Sequence, residues 1–187
     1  MRIVGGALRG RALSGPHSQA IRPTSERLRE SVFDILAHRF GDPVANANVL
    51  DLFAGAGALG LEALSRGAAR ALFVDDGAEA RALLRANIAA LGLGGVARIF
   101  RRDATKLGPA PPGERFSLAF LDPPYGKDFA TQALVSLIDG GWLAPDAIVV
   151  IEESAKARVD LPQNLPREDE RRYGDTQFVF ARYVHSV

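Results

Sequence analysis

The chain has 187 residues, of which 47% are hydrophobic and 24% charged, and its formal net charge is +1. This composition is typical of one globular domain and argues against long disordered regions. The chain has no cysteine and only three histidines (His17, His38, His185), which lack metal-ligand spacing, so disulfides and thiolate sites are excluded and we expect no metal cofactor.

Apolar residues are not concentrated in any long run. The first residues contain no long apolar stretch, and no run of about 18 apolar residues occurs along the chain. Because the chain has no cysteine, no disulfide requires an oxidising compartment. We therefore expect a cytoplasmic protein without a signal peptide and without membrane contact.

The N-terminal part of the chain is basic. Residues 1–39 contain seven arginines and three acids, a net charge of +4, so the remainder carries −3. Arginine binds phosphate through two donors and stacks on bases, so this composition suits a nucleic-acid contact. A general preference for arginine on a solvated surface explains the same composition, and the charge pattern leaves both interpretations open.

The first predicted helix follows this basic start. Thr24 and Ser25 offer N-cap hydroxyls, Glu26 favours a first turn, and apolar residues then recur at helical spacing, which predicts a helix near 25–39. Gly41-Asp42-Pro43 ends it. We place a boundary within 40–47, which divides the chain into an N-terminal basic extension, 1–47, and a larger domain, 48–187.

From residue 48 onward, predicted strands alternate with predicted helices. The strands are 48–52, 71–74, 96–100, 116–121 and 147–151, and the helices are 58–65, 78–91 and 129–138. This alternation requires a parallel sheet with helices on both faces. Two further strands, 167–173 and 176–184, flank Gly174-Asp175 and predict an antiparallel hairpin. We therefore expect a Rossmann-like α/β fold with a seven-stranded, mostly parallel sheet, unlike the six-stranded dinucleotide fold.

A glycine-rich loop connects the first strand of this domain to its first helix. Gly55-x-Gly57-x-x-Gly60 matches the dinucleotide fingerprint, and glycine lets the backbone approach a ligand closely. Asp75, at the end of the next strand, can accept both hydroxyls of a ribose, although the adjacent Asp76 leaves that assignment open by one position. These features suit a nicotinamide cofactor and S-adenosylmethionine equally well.

Asp51 favours S-adenosylmethionine over a nicotinamide cofactor. It lies at the tip of the first strand, four residues before Gly55, where its carboxylate faces the expected crevice. That charge repels a pyrophosphate and attracts an ammonium and a sulfonium. The alternative is that Asp51 caps the following helix or fixes the loop.

Asp122-Pro123-Pro124-Tyr125 directly follows the fourth strand, where the sheet meets its ligand crevice. Consecutive prolines fix the backbone, so the Asp122 carboxylate and the Pro123 carbonyl can accept hydrogen bonds from one amino group. Tyr125 offers a flat face for a planar group. Accepting both N–H bonds exposes the lone pair of a delocalised amine, which suits its methylation without a metal. A proline-stiffened turn is the structural alternative.

Asp103-Ala104, after the third strand, marks the expected position of an adenine edge. Asp103 can accept a hydrogen bond from the adenine amino group, or it can cap the next turn, and the sequence favours neither.

Together, the glycine loop, Asp75 and Asp-Pro-Pro-Tyr resemble class I S-adenosylmethionine-dependent methyltransferases that act on amino nitrogens. Arg2-Ile3-Val4-Gly5-Gly6, Arg9-Gly10-Arg11 and Arg22-Pro23-Thr24 closely resemble the 16S ribosomal RNA guanine-N2 methyltransferase family, which acts on guanine 966 of the bacterial small subunit. The similarity extends over nearly the whole chain, to Tyr173-Gly174-Asp175-Thr176.

The resemblance implies roles for individual residues. Asp122, Pro123, Pro124 and Tyr125 hold the flipped guanine, and S-adenosylmethionine is held by Asp51, Phe53, Gly55, Gly57, Asp75, Asp103 and Ala104. The arginine-rich start is implied to contact 16S rRNA, in the small subunit or its assembly intermediate, through Arg2, Arg9, Arg11, Arg22, Thr24 and Arg27. We expect a monomer.

Three other functions share parts of this sequence pattern. An adenine-N6 or protein-glutamine methyltransferase shares the amino-acceptor motif, although sequence-selective DNA enzymes usually need an added recognition domain. A nicotinamide dehydrogenase shares the glycine loop, but Asp51 and Asp-Pro-Pro-Tyr make little sense in it. A non-catalytic RNA-binding protein shares the basic arm but has no reason to combine a crevice with converging acceptors.

Overall fold

Helices and strands alternate along the chain in the computed structural model, which describes residues 1–16 and 24–185. The helices are α1 (Glu26–Arg39), α2 (Ala58–Ser65), α3 (Ala78–Leu91) and α4 (Phe129–Asp139), with a short 3-10 helix at Ala104–Lys106. The strands are β1 (Asn48–Leu52), β2 (Arg70–Val74), β3 (Ala97–Phe100), β4 (Phe116–Leu121), β5 (Leu143–Ser154), β6 (Arg167–Tyr173) and β7 (Thr176–Arg182).

The strands form a seven-stranded sheet in the order β3-β2-β1-β4-β5-β7-β6. Strands β1 to β5 pair in parallel, and β7 runs antiparallel between β5 and β6. The predicted fold class, a mostly parallel α/β sheet ending in a hairpin, is therefore confirmed. The strand order reverses between β1 and β4, and a ligand crevice opens outside the carboxyl ends of strands at such a point.

Alternating side chains of the strands build a core on each face of the sheet. On one face, Phe73 and Phe120 pack among α1, α2 and α3. On the other, Leu50 and Leu121 pack against α4 and the buried Trp142. Because both faces are covered, the central strands are apolar on both sides, which explains why the sequence predicts them as continuous apolar runs.

Strand β5 is longer than its predicted range of 147–151. Leu143 pairs with Phe116 at its start, and Glu152, Glu153 and Ser154 continue the ladder with β7 at its end. The carboxyls of Glu152 and Glu153 are buried, so an apolar pattern could not mark this end of the strand.

The N-terminal segment packs onto the same core as the sheet. Ile3, Leu13 and Phe33 are buried in the cluster that contains Phe73 and Phe120. Regions 1–47 and 48–187 therefore share one core in the described part of the chain.

The Glu62 carboxylate of α2 holds this segment through hydrogen bonds and ion pairs. Its carboxylate accepts the backbone N–H groups of Val4 and Gly5, at 2.9 and 2.7 Å. It also pairs with Arg29 at 3.2 Å and Arg66 at 2.9 Å, and the Arg29 side chain is fully buried. Arg29 additionally donates to the Arg2 carbonyl. One buried acid thus joins the N-terminal segment, α1 and α2.

In the described residues, no helix is long and apolar enough to cross a membrane.

Glu62→Ala should destabilise the fold strongly. It removes the acceptor of two backbone N–H groups and leaves Arg29 buried without its counter-ion, a change that costs about 3–5 kcal/mol. Urea unfolding measures this loss. Arg158→Ala is the control, because its pair with Asp160 is exposed and should contribute less than about 1 kcal/mol. Equal effects of the two substitutions would contradict this assignment.

Candidate active site

A cavity of about 520 Å³ opens at the carboxyl ends of β1, β2 and β4, where the strand order reverses. Its walls come from the glycine loop after β1, the turn after β2, the Asp-Pro-Pro-Tyr turn after β4 and the N-terminal segment. Its volume lies within the range of ligand sites in proteins, about 300–1,000 Å³. The topology therefore brings the three separate sequence motifs to one cavity.

The ionisable side chains that line this cavity are acidic. They are Asp51, Asp75, Asp76, Glu79 and Asp122, and the described lining residues include no lysine, arginine or histidine. Such a surface repels a pyrophosphate and attracts a ligand with ammonium and sulfonium groups. The donor set therefore fits S-adenosylmethionine and disfavours a nicotinamide dinucleotide.

Asp51 is buried at the floor of the cavity, 1% exposed. Its Oδ2 accepts the Gly60 N–H at 2.9 Å. Burial raises the pKa of Asp51 to about 8, the Gly60 hydrogen bond opposes this shift and the Asp75 charge adds to it. The carboxyl therefore caps the first turn of α2, and Asp51 also lines the cavity.

Gly57 and Gly60 are each required to be glycine for a different structural reason. A Cβ on Gly60 would lie 2.4 Å from Phe73 Cε1, so glycine allows α2 to pack against β2. Gly57 has φ 84° and its Cβ would lie 2.5 Å from Leu84 Cδ2. Phe53 has φ 56°, a left-handed conformation that is uncommon outside glycine and often occurs at functional sites.

Asp75 holds the glycine loop against the turn that follows β2. Its two carboxylate oxygens accept the Gly55 N–H at 2.9 Å and the Gly77 N–H at 2.8 Å. An ionised carboxylate has about four acceptor positions, so Asp75 can still accept ribose hydroxyls. Asp76 lines the same cavity but is exposed.

Asp103 and Ala104 line a second, smaller cavity of about 160 Å³. It adjoins the main one, because Phe53, Asp75 and Pro124 line both. Asp103 Oδ1 accepts the Thr105 N–H at 2.8 Å and the Thr105 hydroxyl at 2.7 Å, which lowers its pKa. Asp103 thus caps the short 3-10 helix and lines this smaller cavity.

Asp122 lies at the opposite end of the main cavity from the turn after β2. The Asp122 N–H donates to the Leu52 carbonyl at 3.4 Å, which ties the turn to β1. Pro123 and Pro124 follow and line the same cavity. Burial raises the pKa of Asp122 well above its usual value, and the charges of Glu152, Asp51 and Glu153 raise it further.

The Tyr125 ring lines the cavity while its hydroxyl is fixed behind it. That hydroxyl donates to Glu152 Oε1 at 3.0 Å and lies 3.2 Å from Thr176 Oγ1. Desolvation raises the pKa of Tyr125, so the phenol stays neutral and its ring orientation is set by β5 and β7.

The N-terminal residues with expected RNA roles separate into two groups. Arg2, Arg9, Arg11 and Arg27 have exposed side chains. Thr24 instead is buried, 6% exposed, and its hydroxyl donates to Glu152 Oε2 at 2.6 Å. Thr24 therefore lies in the candidate site rather than on an exposed arm.

Arg22, the remaining residue of this group, falls outside the described residues. Two of the exposed arginines have side-chain contacts within the chain. Arg2 pairs with Glu26 at 3.5 Å, and Arg11 donates to the Ala90 carbonyl at 2.7 Å.

Several site residues were not found by sequence analysis. Glu152 of β5 and Thr176 of β7 lie in paired strands, and Asn87 of α3 joins the Ala56 carbonyl of the loop to Ser14. Phe129 of α4 stacks on Phe53 with ring centroids 6.4 Å apart. No local motif marks Glu152, Asn87 or Phe129, because their contacts depend on the packing of distant segments.

No cluster of three or more histidine, cysteine, aspartate or glutamate side chains in the described ranges has a geometry that could hold a metal ion.

Comparisons with known proteins relate the whole chain to one family. A family model described as Conserved hypothetical protein 95 matches residues 1–182. Ribosomal RNA small subunit methyltransferase D of Escherichia coli strain K12 is 40% identical over 157 residues, 83% of this chain and 76% of that protein. The protein of the same name from Haemophilus influenzae is 31% identical, over 88% of this chain and 84% of that protein.

A solved structure gives the same result for the fold. The yhhF structure from Escherichia coli has a TM-score of 0.83 and 33% identity, and the alignment covers 98% of each chain. These matches confirm the resemblance that the sequence motifs indicated.

Asp51→Asn should change how stability depends on pH. Asparagine keeps an oxygen for the Gly60 N–H but cannot ionise. Because the pKa of Asp51 is about 8 in the folded protein and about 4 unfolded, the folded state binds the extra proton between these values, so wild-type stability falls as pH rises through them. Between pH 6 and pH 9, the stability of the wild-type protein should therefore fall by about 2.7 kcal/mol more than that of the variant.

Urea unfolding of the ligand-free protein at both pH values measures this difference. Asp160→Asn, at an exposed ion pair, is the control. An unchanged pH dependence in Asp51→Asn would contradict an uncharged, buried Asp51.

Proposed function

The chain belongs to the Conserved hypothetical protein 95 family, and on this premise we propose that it methylates 16S ribosomal RNA with S-adenosylmethionine as the methyl donor. The acceptor is the exocyclic N2 of a guanine, and guanine 966 is the expected target. The observation that supports this proposal is one cavity that the glycine loop, Asp75 and the Asp122-Pro123-Pro124-Tyr125 turn line together. Two relatives of the chain are named ribosomal RNA small subunit methyltransferase D, which also supports the proposal.

The methyl donor supplies an electrophilic methyl group when bound. Asp75 is placed to accept the ribose hydroxyls, and Asp103 and Ala104 line the adjoining pocket for the adenine. Asp51 faces the cationic part of the donor, where an ionised carboxylate offsets the positive charge. The glycine loop allows the backbone to approach the ligand closely.

Asp122 and Pro123 act on the acceptor amine. The N2 lone pair of guanine is delocalised into the ring, so the amine is a poor nucleophile. When the Asp122 carboxylate and the Pro123 carbonyl accept its two N–H bonds, the lone pair becomes available toward the methyl group. Tyr125 provides a face on which the base can stack. The remaining contribution is alignment of donor and acceptor.

The acceptor guanine must leave its stack to reach Asp122, because the carboxyl lies inside the cavity. Arg2, Arg9, Arg11 and Arg27 have exposed side chains for nearby phosphates, and we include Arg22 in this contact on sequence grounds. The proposed setting is the cytoplasm, with a monomer acting on 16S rRNA in the small subunit or its assembly intermediate.

Purified protein, labelled S-adenosylmethionine and small subunits that lack this modification test the proposal. We expect label on N2 of one guanine, identified by nucleoside mass mapping. Label on adenine N6 or on a protein glutamine, or no transfer to any of these acceptors, would reject the proposed reaction.

Asp122→Ala should lower the methylation rate by at least about 100-fold while S-adenosylmethionine still binds. The substitution removes an acceptor that acts on the amine in the transition state, and such groups typically contribute that much. Single-turnover kinetics and calorimetric binding measure the two effects separately. Retention of the wild-type rate would contradict the amino-acceptor role, and Asp160→Asn serves as the control.

Arg9→Ala and Arg27→Ala should weaken RNA binding without affecting binding of the methyl donor. Each phosphate contact that is lost should lower the slope of log affinity against log salt concentration by about one. Arg70→Ala is the control, since Arg70 lies at the amino end of β2, at the opposite sheet edge from the cavity. An unchanged salt slope in the arm variants would contradict the RNA contact.

A further inference from the structure

A network of hydrogen bonds surrounds the Asp122 carboxyl. Thr24, just before α1, donates its hydroxyl proton to Glu152 Oε2 at 2.6 Å, and it also hydrogen-bonds Asp122, a contact that lowers the pKa of Asp122. Glu152 Oε1 accepts from the Tyr125 hydroxyl at 3.0 Å. The network therefore connects the start of α1, the Asp-Pro-Pro-Tyr turn and β5.

The Thr24 hydroxyl cannot donate to two carboxylates at once, because it carries one proton. When it donates to Glu152, its bond with Asp122 forms if Asp122 is protonated and donates to Thr24 Oγ1. When Asp122 is ionised, the two carboxylates compete for that proton. With Thr24 donating to Glu152, a proton that reaches Asp122 can therefore be held by a hydrogen bond to Thr24 Oγ1.

The charges that face Asp122 raise its pKa and so oppose the effect of the Thr24 hydrogen bond. Glu152 and Glu153 approach it from β5 and Asp51 from β1, and each disfavours a negative charge on Asp122. Among them Glu152 has the strongest electrostatic effect, and it is also the one that shares the Thr24 hydroxyl. Tyr125, from the turn itself, is neutral.

We propose that Glu152, acting through the Thr24 hydroxyl, makes Asp122 the acceptor of the proton that the substrate amine releases on methylation. Glu152 and Thr24 are positioning residues in this scheme, since they act on the reaction through Asp122. This inference rests on the proposed function and deepens it, because it assigns the proton that amine methylation must remove.

The proposed step balances as follows. The N2 lone pair forms the new N–C bond, and the electrons of the broken C–S bond stay on sulfur. The amine then carries one excess proton, which passes from N2 to a carboxylate oxygen of Asp122. Protonated Asp122 donates to Thr24 Oγ1, whose own proton remains hydrogen-bonded to ionised Glu152. Asp122 returns its proton to solvent before the next turnover.

Glu152→Gln tests the electrostatic part of this proposal. Glutamine offers one acceptor and one donor, and a hydroxyl can be either, so both the Thr24 and the Tyr125 contacts can persist. Loss of the negative charge should lower the pKa of Asp122, because a like charge within about 4–6 Å typically shifts a pKa by at least one unit. The acid limb of the single-turnover rate should therefore move to lower pH by about one unit or more.

The plateau rate of Glu152→Gln should also fall, since a weaker base accepts the amine proton less readily. Glu153→Gln is the matched control, because Glu153 is buried in the same strand but has a smaller effect on Asp122. An acid limb that stays in place, or that moves equally in both variants, would overturn the proposal.

Thr24→Val and Thr24→Ser test the hydroxyl. Valine should lower the plateau rate by about tenfold, the effect of losing a hydrogen bond to a charged group, while serine should restore most of the rate. Equal rates in the valine and serine variants would overturn the role of the shared hydroxyl.

An infrared titration reads the carboxyl pair without turnover. The C=O band of protonated Asp122, assigned by its loss in Asp122→Asn, should titrate at lower pH in Glu152→Gln than in the wild-type protein. An unchanged midpoint would overturn the proposal. Because this titration needs no RNA, it separates a failure of this inference from a failure of the proposed methylation.

Discussion

Burial of ionisable carboxyls around one cavity is the constraint on which the rest of the site depends. Asp51 and Asp122 are placed where solvation is poor, so each is costly to ionise unless a ligand compensates it. A cationic donor can compensate Asp51, and an amine can donate its protons to Asp122. The two carboxyls of the free protein therefore favour different ligands. Asp51 favours a cation, and Asp122 favours an amine that donates hydrogen bonds.

The fold explains how these carboxyls stay in position. The parallel strands β1 and β4 end side by side, so residues 71 positions apart in the sequence reach the same cavity. Gly60 lets α2 approach β1 and β2 closely, and its N–H fixes Asp51. Glu62 also pairs with Arg29 of α1, and Thr24, just before that helix, donates to Glu152 in the site. The ion pair that holds α1 and the hydrogen bond in the site thus involve residues that are close in the sequence.

Local pattern was sufficient to predict most of the fold. The buried strands are apolar on both sides and the helices begin and end at glycines or caps, so α2, α3 and β4 have the bounds that the sequence predicted. The Asp-Pro-Pro-Tyr turn and the glycine loop were found for the same reason, since each is contiguous. Arg29 and Glu152 were not found, because a charged residue in an exposed-looking pattern becomes buried only through partners far along the chain.

A crystal structure with S-adenosylhomocysteine and an RNA hairpin bearing the target guanine tests the central claim most directly. The account predicts that the guanine N2 lies within hydrogen-bonding distance of the Asp122 carboxyl and the Pro123 carbonyl, with its free side toward the sulfur. A base held outside the cavity, or one whose N2 faces away from Asp122, would contradict it.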